Sequence, residues 1–280
     1  MMPRRAGSAA IRATAPFLPP ALTRLLRRRF SEFIYAGEIW PAHLNDGWSH
    51  DSVAAAQQRH WPTLARNLEG TGPLGVSHIP GHDSRTNAGD HNIMMSFAYV
   101  LGLAGWQKSR LSLLDCGGGC GHYLLYARAL YPELEFDYHC FDLPPIVAAG
   151  RGLQPGAVFH DDFAELEDHT FDLVLAGSSL QYFEDWRAAL ALLAERSAQW
   201  LYVFRLHVLE RSRSYVTIQK PFSAGYQTAY PGWLLNRDEF LAAAASFGLK
   251  LVREFVFEED WYVRGAPEQG RSRGFLFTRI

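Results

Sequence analysis

The strongest constraint in this chain is the run Leu113-Leu114-Asp115-Cys116-Gly117-Gly118-Gly119-Cys120-Gly121. An apolar stretch that begins at Leu111 ends in an acid and passes at once into glycines. Such a stretch reads as a buried strand leading into a tight turn. Glycine lets the main chain take positive φ and come close to a ligand. Residues 121–131 then place Leu124, Ala127 and Tyr131 at helical spacings. Strand, turn and helix together put the glycines at the C-terminal edge of a parallel sheet, where open α/β sheets bind ligands.

Two phosphate-binding readings of this turn fail. A dinucleotide fingerprint needs G-x-G-x-x-G. Counting from Gly117 the third glycine falls on His122, and counting from Gly119 it falls on Leu124. A P-loop needs a following Gly-Lys-Ser/Thr, and none is there.

The rest of the chain repeats the alternation. Phe136 to Asp142 reads as a second strand that also ends in an acid, and Pro144-Pro145 open a helix, as proline is tolerated in a first turn. Strands follow at 157–160, 171–176, 200–206, 249–257 and 275–279. Between them, 184–197 is amphipathic, with Trp186, Ala189, Leu190, Leu193 and Ala194 on one face. Asn236 with Glu239 resembles a capping box before a helix that stops at Gly248. Strands alternating with helices imply a mostly parallel, doubly wound α/β sheet. A further helix is expected over 87–105.

Three stretches depart from that rhythm. Residues 207–235 are long, polar and aromatic, which suggests a lid inserted in the domain. Residues 31–80 hold Trp40, Trp48 and Trp61 among Pro and Gly, as in a cap of short helices, one running from Asp51 to His60. The first 29 residues carry seven arginines and no acid, so the remainder holds 20 bases against 29 acids. The expected organisation is a basic flexible arm (1–30), a cap (31–105) and a ligand-binding domain (106–280). For the arm three readings stay open: a solvated tail, a peripheral membrane contact with Leu22, Leu25, Leu26 and Phe30 beside the arginines, or an Arg-rich transit peptide.

Other classes are disfavoured. The acidic body does not suit a phosphate backbone, so nucleic acid is not an expected partner. No apolar run reaches membrane-spanning length. Three cysteines make no disulfide framework, and Cys116, Cys120, His122 and Cys140 lack paired zinc-ligand spacing, so no metal is expected. A cytoplasmic location is expected.

The glycine run resembles the first motif, acid-x-Gly-x-Gly-x-Gly, of class I S-adenosylmethionine-dependent methyltransferases. The resemblance covers residues 87–280, and in motif order, aromatic N-terminal region and size the chain is similar to a group of bacterial methyltransferases of unassigned substrate. The resemblance implies a Rossmann-like, seven-stranded, mostly parallel sheet with an N-terminal helical cap, and S-adenosylmethionine as cofactor. It implies that Asp115, Gly117, Gly119 and Gly121 cradle the methionine part, with Asp115 toward the amino group. Asp142 lies 21 residues after Gly121 and offers two acceptor oxygens to the ribose hydroxyls, with Leu143 beside it. Asp162 and Phe163 fall where the family holds adenine. Ser178, in the loop Gly177 to Tyr182, lines the transfer site.

One departure matters. Many O-methyltransferases carry a histidine after the fourth strand, and here that loop offers Gln181 and Tyr182. These two and His207, after the fifth strand, are the expected catalytic residues, with His207 as a candidate base. His91, a second candidate base, lies with Asn92 where an N-terminal helix often closes over the cofactor, with capping or packing as the other reading; His122 is placed to bond locally, and Arg205 and Arg211 to meet an anionic acceptor or simply to be solvated. The expected function is methylation of an oxygen on a small molecule or glycan. The alternative is a non-catalytic module that binds the cofactor or a partner.

Overall fold

In the computed structural model, residues 19, 29, 31–42, 47–80, 86–259 and 262–280 are described. The arm expected at 1–30 therefore lies outside the described residues except at two positions.

From residue 110 onward each apolar run becomes a strand close to its expected bounds. These are β2 (Arg110–Cys116), β3 (Glu135–Phe141), β4 (Val158–His160), β5 (Phe171–Gly177), β6 (Ser197–Leu209), β9 (Leu249–Val256) and β11 (Arg271–Arg279). They lie side by side as β4-β3-β2-β5-β6-β11-β9, with β11 antiparallel to its neighbours and the first five parallel. Because side chains alternate across a sheet, each strand supplies both faces. Leu113, Leu173 and Tyr202 pack under α2 (Ala88–Ala104) and α3 (His122–Leu130), against Phe97, Leu101 and Tyr126. Leu114, Val174 and Leu201 pack under α5 (Trp186–Arg196) and α6 (Arg237–Ser246), against Leu190, Leu193 and Phe240. Helices on both faces explain why these strands are continuous apolar runs.

The sheet has eleven strands rather than the expected seven. β6 runs past its expected end, and Val208 and Leu209 pair in parallel with β8 (Tyr230–Asn236). β8 pairs with β7 (Tyr215–Gln219), β7 with β1 (Phe33–Gly37), and β1 with the short β10 (Val263–Arg264). The segment expected as a lid thus carries two strands, and the cap region carries a third. Short strands broken by Pro221 and Gly225 hid this extension from pattern reading.

The capping box at Asn236 is completed through a third residue. Asn236 Oδ1 accepts the N–H groups of Asp238 and Glu239 (3.1 and 3.0 Å). The Asn236 N–H donates to Ser214 Oγ (2.8 Å), whose hydroxyl donates to Glu239 (2.8 Å).

In the cap, α1 (Asp51–Asn67) is longer than expected and continues through Pro62. Burial of Val53, Ala56 and Leu64 holds both halves despite the hydrogen bond that a proline removes. α1 packs beside α4 (Pro144–Leu153), where Val53 and Ala56 share a cluster with Ile146 and Ala149. That contact seats the cap directly over the glycine turn. Among the described residues no helix is long and apolar enough to cross a membrane, and no group of three or more His, Cys, Asp or Glu is arranged to hold a metal ion.

Candidate active site

The turn after β2 takes three left-handed steps: Gly117 (φ +73°), Gly119 (+60°) and Gly121 (+83°). L side chains rarely adopt this region. Space is also short. A Cβ at Gly117 would lie 2.3 Å from Ser179 Cβ, and one at Gly118 would lie 2.5 Å from an Asp115 oxygen and 2.8 Å from Cys140 Sγ. Gln57 of α1 closes the turn from above, its Oε1 accepting the Cys120 N–H (3.2 Å). Cys116, Cys120 and Cys140 are buried around the turn as free thiols, and burial pushes Cys120 up to about 12.

Two carboxyls flank it. Asp115 is fully buried at the end of β2. The Tyr138 hydroxyl donates to its Oδ2, while Oδ1 has no partner. Burial, reinforced by Asp142 and opposed by the Tyr138 bond, lifts Asp115 to about 7. Asp142, just past β3, accepts the Gly119 N–H on Oδ2 (2.8 Å) and the Leu143 N–H on Oδ1 (2.7 Å). Burial raises it to about 6 against those two bonds. Each Asp142 oxygen keeps a second lone pair for a ligand hydroxyl. An acceptor buried without a donor costs roughly 1–3 kcal/mol, so Asp115 Oδ1 could take an incoming N–H. These groups fit an amino acid tail and a ribose.

The neighbouring strand ends complete the edge. The Asp142 N–H donates to His160 O (3.1 Å), which ties β3 to the end of β4. Asp162 follows, exposed, and caps a 3-10 turn (Phe163–Leu166) by accepting the Ala164 N–H (2.9 Å). The Phe163 ring lies 4.1 Å from that of Phe141. Leu143 caps α4 ahead of Pro144.

After β5, Ser178 is a non-glycine residue held at φ +56°, its N–H donating to Phe204 O (2.8 Å). Such outliers persist where the surroundings over-determine them, and they cluster at functional sites. Gln181 Nε2 donates to Ser178 Oγ (3.1 Å), and Ser179 Oγ ties back to Cys116 O (2.6 Å). The Tyr182 hydroxyl, raised to about 12 by burial, donates to Gln219 Oε1 (3.0 Å). Ser178, Gln181 and Tyr182 therefore stand together.

His207 stands in a buried cluster with Glu259 and Arg205. Its Nε2 faces Glu259 (3.8 Å), and burial lowers it to about 3 despite that carboxylate. Glu259 is instead bonded by Arg205 through Nε and Nη2 (3.0 and 2.6 Å), with the Ser272 hydroxyl on its other oxygen. Burial opposes ionisation of Glu259, yet Arg205 and His207 bring it down to about 2. Arg205 sits at φ +54° where β6 slips register against β11, a β-bulge that turns its side chain inward. Its Nη1 lies 3.4 Å from His78 Nε2. His78 stacks on His122 (4.0 Å), which burial lowers to about 3. His91 packs in the first turn of α2, and Asn92 donates to Val256 O (2.8 Å). Arg211 remains exposed, with its backbone N–H on Glu268 (3.0 Å).

Sequence reasoning missed Gln57, Gln219 and Glu259. Gln219 carries a faint signal in the alternation of Tyr215, Thr217 and Gln219. The other two have none, because tertiary packing alone brings them here. Beside Tyr182 and Leu143 opens a cavity of about 580 Å³.

A family model described as a methyltransferase domain matches residues 94–254. That span is more than half of the chain and holds the glycine turn, Asp142 and the Ser178 loop. The chain belongs to this methyltransferase family. No curated protein matches this methyltransferase. Among solved structures it is similar to a magnesium protoporphyrin IX methyltransferase from Synechocystis PCC 6803 with bound SAH (14% identity, TM-score 0.47, 81% of this chain and 98% of that one). It is also similar to a SAM-dependent methyltransferase from Methanosarcina mazei (12%, 0.48, 64% and 96%). A third is a 1,6-didemethyltoxoflavin-N1-methyltransferase from Burkholderia thailandensis (16%, 0.44, 67% and 78%).

Proposed function

We propose that this methyltransferase moves the methyl group of S-adenosylmethionine onto an oxygen of a small molecule or glycan. The observation that carries the reading is a glycine turn in three left-handed steps above a buried Asp115 oxygen that lacks a donor, one strand from Asp142. When bound, the cofactor supplies an electrophilic methyl group on a good leaving group. Asp115 Oδ1 takes an N–H of the ammonium. The spare lone pairs of Asp142 take the two ribose hydroxyls. Asp162 meets the adenine amino group, and Phe163 and Leu143 meet the ring. Ser178 shapes the loop beside the reacting centre, and Gln181 and Tyr182 orient the acceptor.

Positioning an acceptor in line contributes up to several kcal/mol. A general base adds roughly 10²–10⁴-fold, but only when its pKa lies near the working pH. His207 and His122, both brought to about 3, are poorly matched to that role. The chemistry therefore rests on placement of the acceptor, whose proton passes to water as the methyl group arrives. The same observation favours a second reading, a cofactor-binding module without turnover. Incubation with methyl-labelled S-adenosylmethionine and pools of small molecules and glycans separates the two. Label transfer supports the enzyme; cofactor binding with no labelled product from any pool supports the module.

A further inference from the structure

The large cavity borders both the cofactor edge and the transfer loop, through Leu143 and Tyr182. At about 580 Å³ it falls within the ordinary range of small-ligand sites, roughly 300–1,000 Å³. Its other walls include Trp40, Trp48 and Tyr230, with Glu184 at one side. The rings are locked by one another. Trp48 stacks on Tyr230 (4.1 Å) and meets Tyr182 edge-on (4.8 Å), and Tyr182 meets Tyr230 edge-on (5.4 Å). No Lys, Arg or His is among the described residues that line it.

One polar atom is left over. The indole N–H of Trp48 is buried and has no acceptor. A buried donor without a partner is costly, and a ligand oxygen in this cavity answers it. The cavity also continues outward. A second space of about 340 Å³ shares Glu184 and is lined by Trp233, which packs on Trp40 (5.7 Å). Its wall mixes Glu38, Asp185 and Glu239 with Arg187 and Arg213. Acceptors and donors thus stand along the outer part, and flat apolar faces stand along the inner part.

We infer that the methyl acceptor is a saccharide, with a pyranose ring lying between the Trp40, Trp48 and Tyr230 faces and its chain leaving past Glu184. Such a ring presents C–H groups above and below and hydroxyls at its rim. It satisfies the aromatic walls, the Trp48 N–H and the mixed outer wall together. A flat apolar acceptor would leave the indole N–H without a partner. This inference rests on the methyl-transfer reading above and narrows its acceptor.

The test uses the full chain loaded with S-adenosylhomocysteine. Calorimetry and ligand-observed NMR measure binding of the methyl glycosides of glucose, galactose, mannose and rhamnose, with catechol and tyramine as aromatic and cationic controls. At least one glycoside binds and neither control does. Trp48→Phe, which keeps the ring and removes the donor, weakens that glycoside about fivefold. Trp40→Ala weakens it about tenfold. Both variants keep the wild-type affinity for S-adenosylhomocysteine, which also reports that they fold. Binding of catechol or tyramine with no glycoside binding overturns the inference, as does glycoside affinity untouched by both substitutions. Failure of S-adenosylhomocysteine to bind at all sinks the methyl-transfer reading instead, whereas cofactor product binding without any glycoside sinks the saccharide alone.

Discussion

Replacing Asp142 by alanine and by asparagine separates what its carboxylate does inside the protein from what it does for a ligand. Each oxygen already accepts one backbone N–H, from Leu143 on one side and Gly119 on the other. One further acceptor site per oxygen remains for the two ribose hydroxyls. A hydrogen bond to a charged group contributes roughly 1.5–3 kcal/mol. Losing two of them costs about 3–6 kcal/mol, or roughly 10²–10⁴-fold in affinity at 1.4 kcal/mol per factor of ten. Asp142→Ala is therefore expected to weaken S-adenosylmethionine binding by about a thousandfold. Asp142→Asn keeps one carbonyl oxygen, but its amide must face one of the two backbone N–H donors, so a loss of roughly 10–100-fold is expected. The assay is calorimetry at pH 8, with a thermal melt of each variant to verify folding. A folded Asp142→Ala variant that binds within twofold of wild type refutes the ribose assignment and the reasoning behind it.

Three further outcomes follow from the same geometry. Gly118→Ala drives a methyl group against the Asp115 carboxyl and Cys140; overpacking of this kind costs ~1–3 kcal/mol, so Tm falls by several degrees, and an unchanged Tm contradicts the packing described for the turn. Asp115 and Asp142 hold their protons more tightly in the folded protein, at about 7 and about 6 against an ordinary 3.8. Their contribution to stability is thus fully present below about 3.8 and is lost as pH rises through 6 and 7. Binding of an ammonium needs ionised Asp115, so cofactor affinity and the cofactor-induced rise in Tm both grow from pH 5.5 to 8; a rise in Tm that is flat across that window contradicts the assignment. Arg205→Met and Glu259→Met each break a buried ion pair whose side chains are 9% and 17% exposed, at a cost of ~3–5 kcal/mol apiece. The double substitution costs much less than the sum in urea unfolding, and strict additivity would show that the two charges do not depend on each other.

The parts of the fold legible in the sequence are those where one local pattern decides. Leu111 to Asp115 had to be a buried strand, because an apolar run ends at an acid and three glycines that only a turn can use. Asn236 announced its helix by the same local logic, although Ser214 joins the cap from a distant loop. Residues 215–219 and 230–236 were less legible, because polar Thr217 and Gln219 are buried in a strand that pairs only with other short strands. At the site, Asp115 and Asp142 could be named from position along the chain. Gln57, Gln219 and Glu259 could not. The Arg205–Glu259 pair joins residues 54 apart through a bulge that no spacing rule encodes. His207 illustrates the converse. Its place after the fifth strand marked it as a candidate base, yet its environment is the Glu259 carboxylate and a burial that strips it of basicity.

The most direct test of the central claim is a crystal structure of the protein soaked with S-adenosylhomocysteine. The account predicts the methionine tail against Gly117–Gly121, its amine within hydrogen-bonding distance of Asp115 Oδ1, and both ribose hydroxyls on Asp142. A turn that stays closed to the ligand, or density for the nucleoside at any other edge of the sheet, contradicts it.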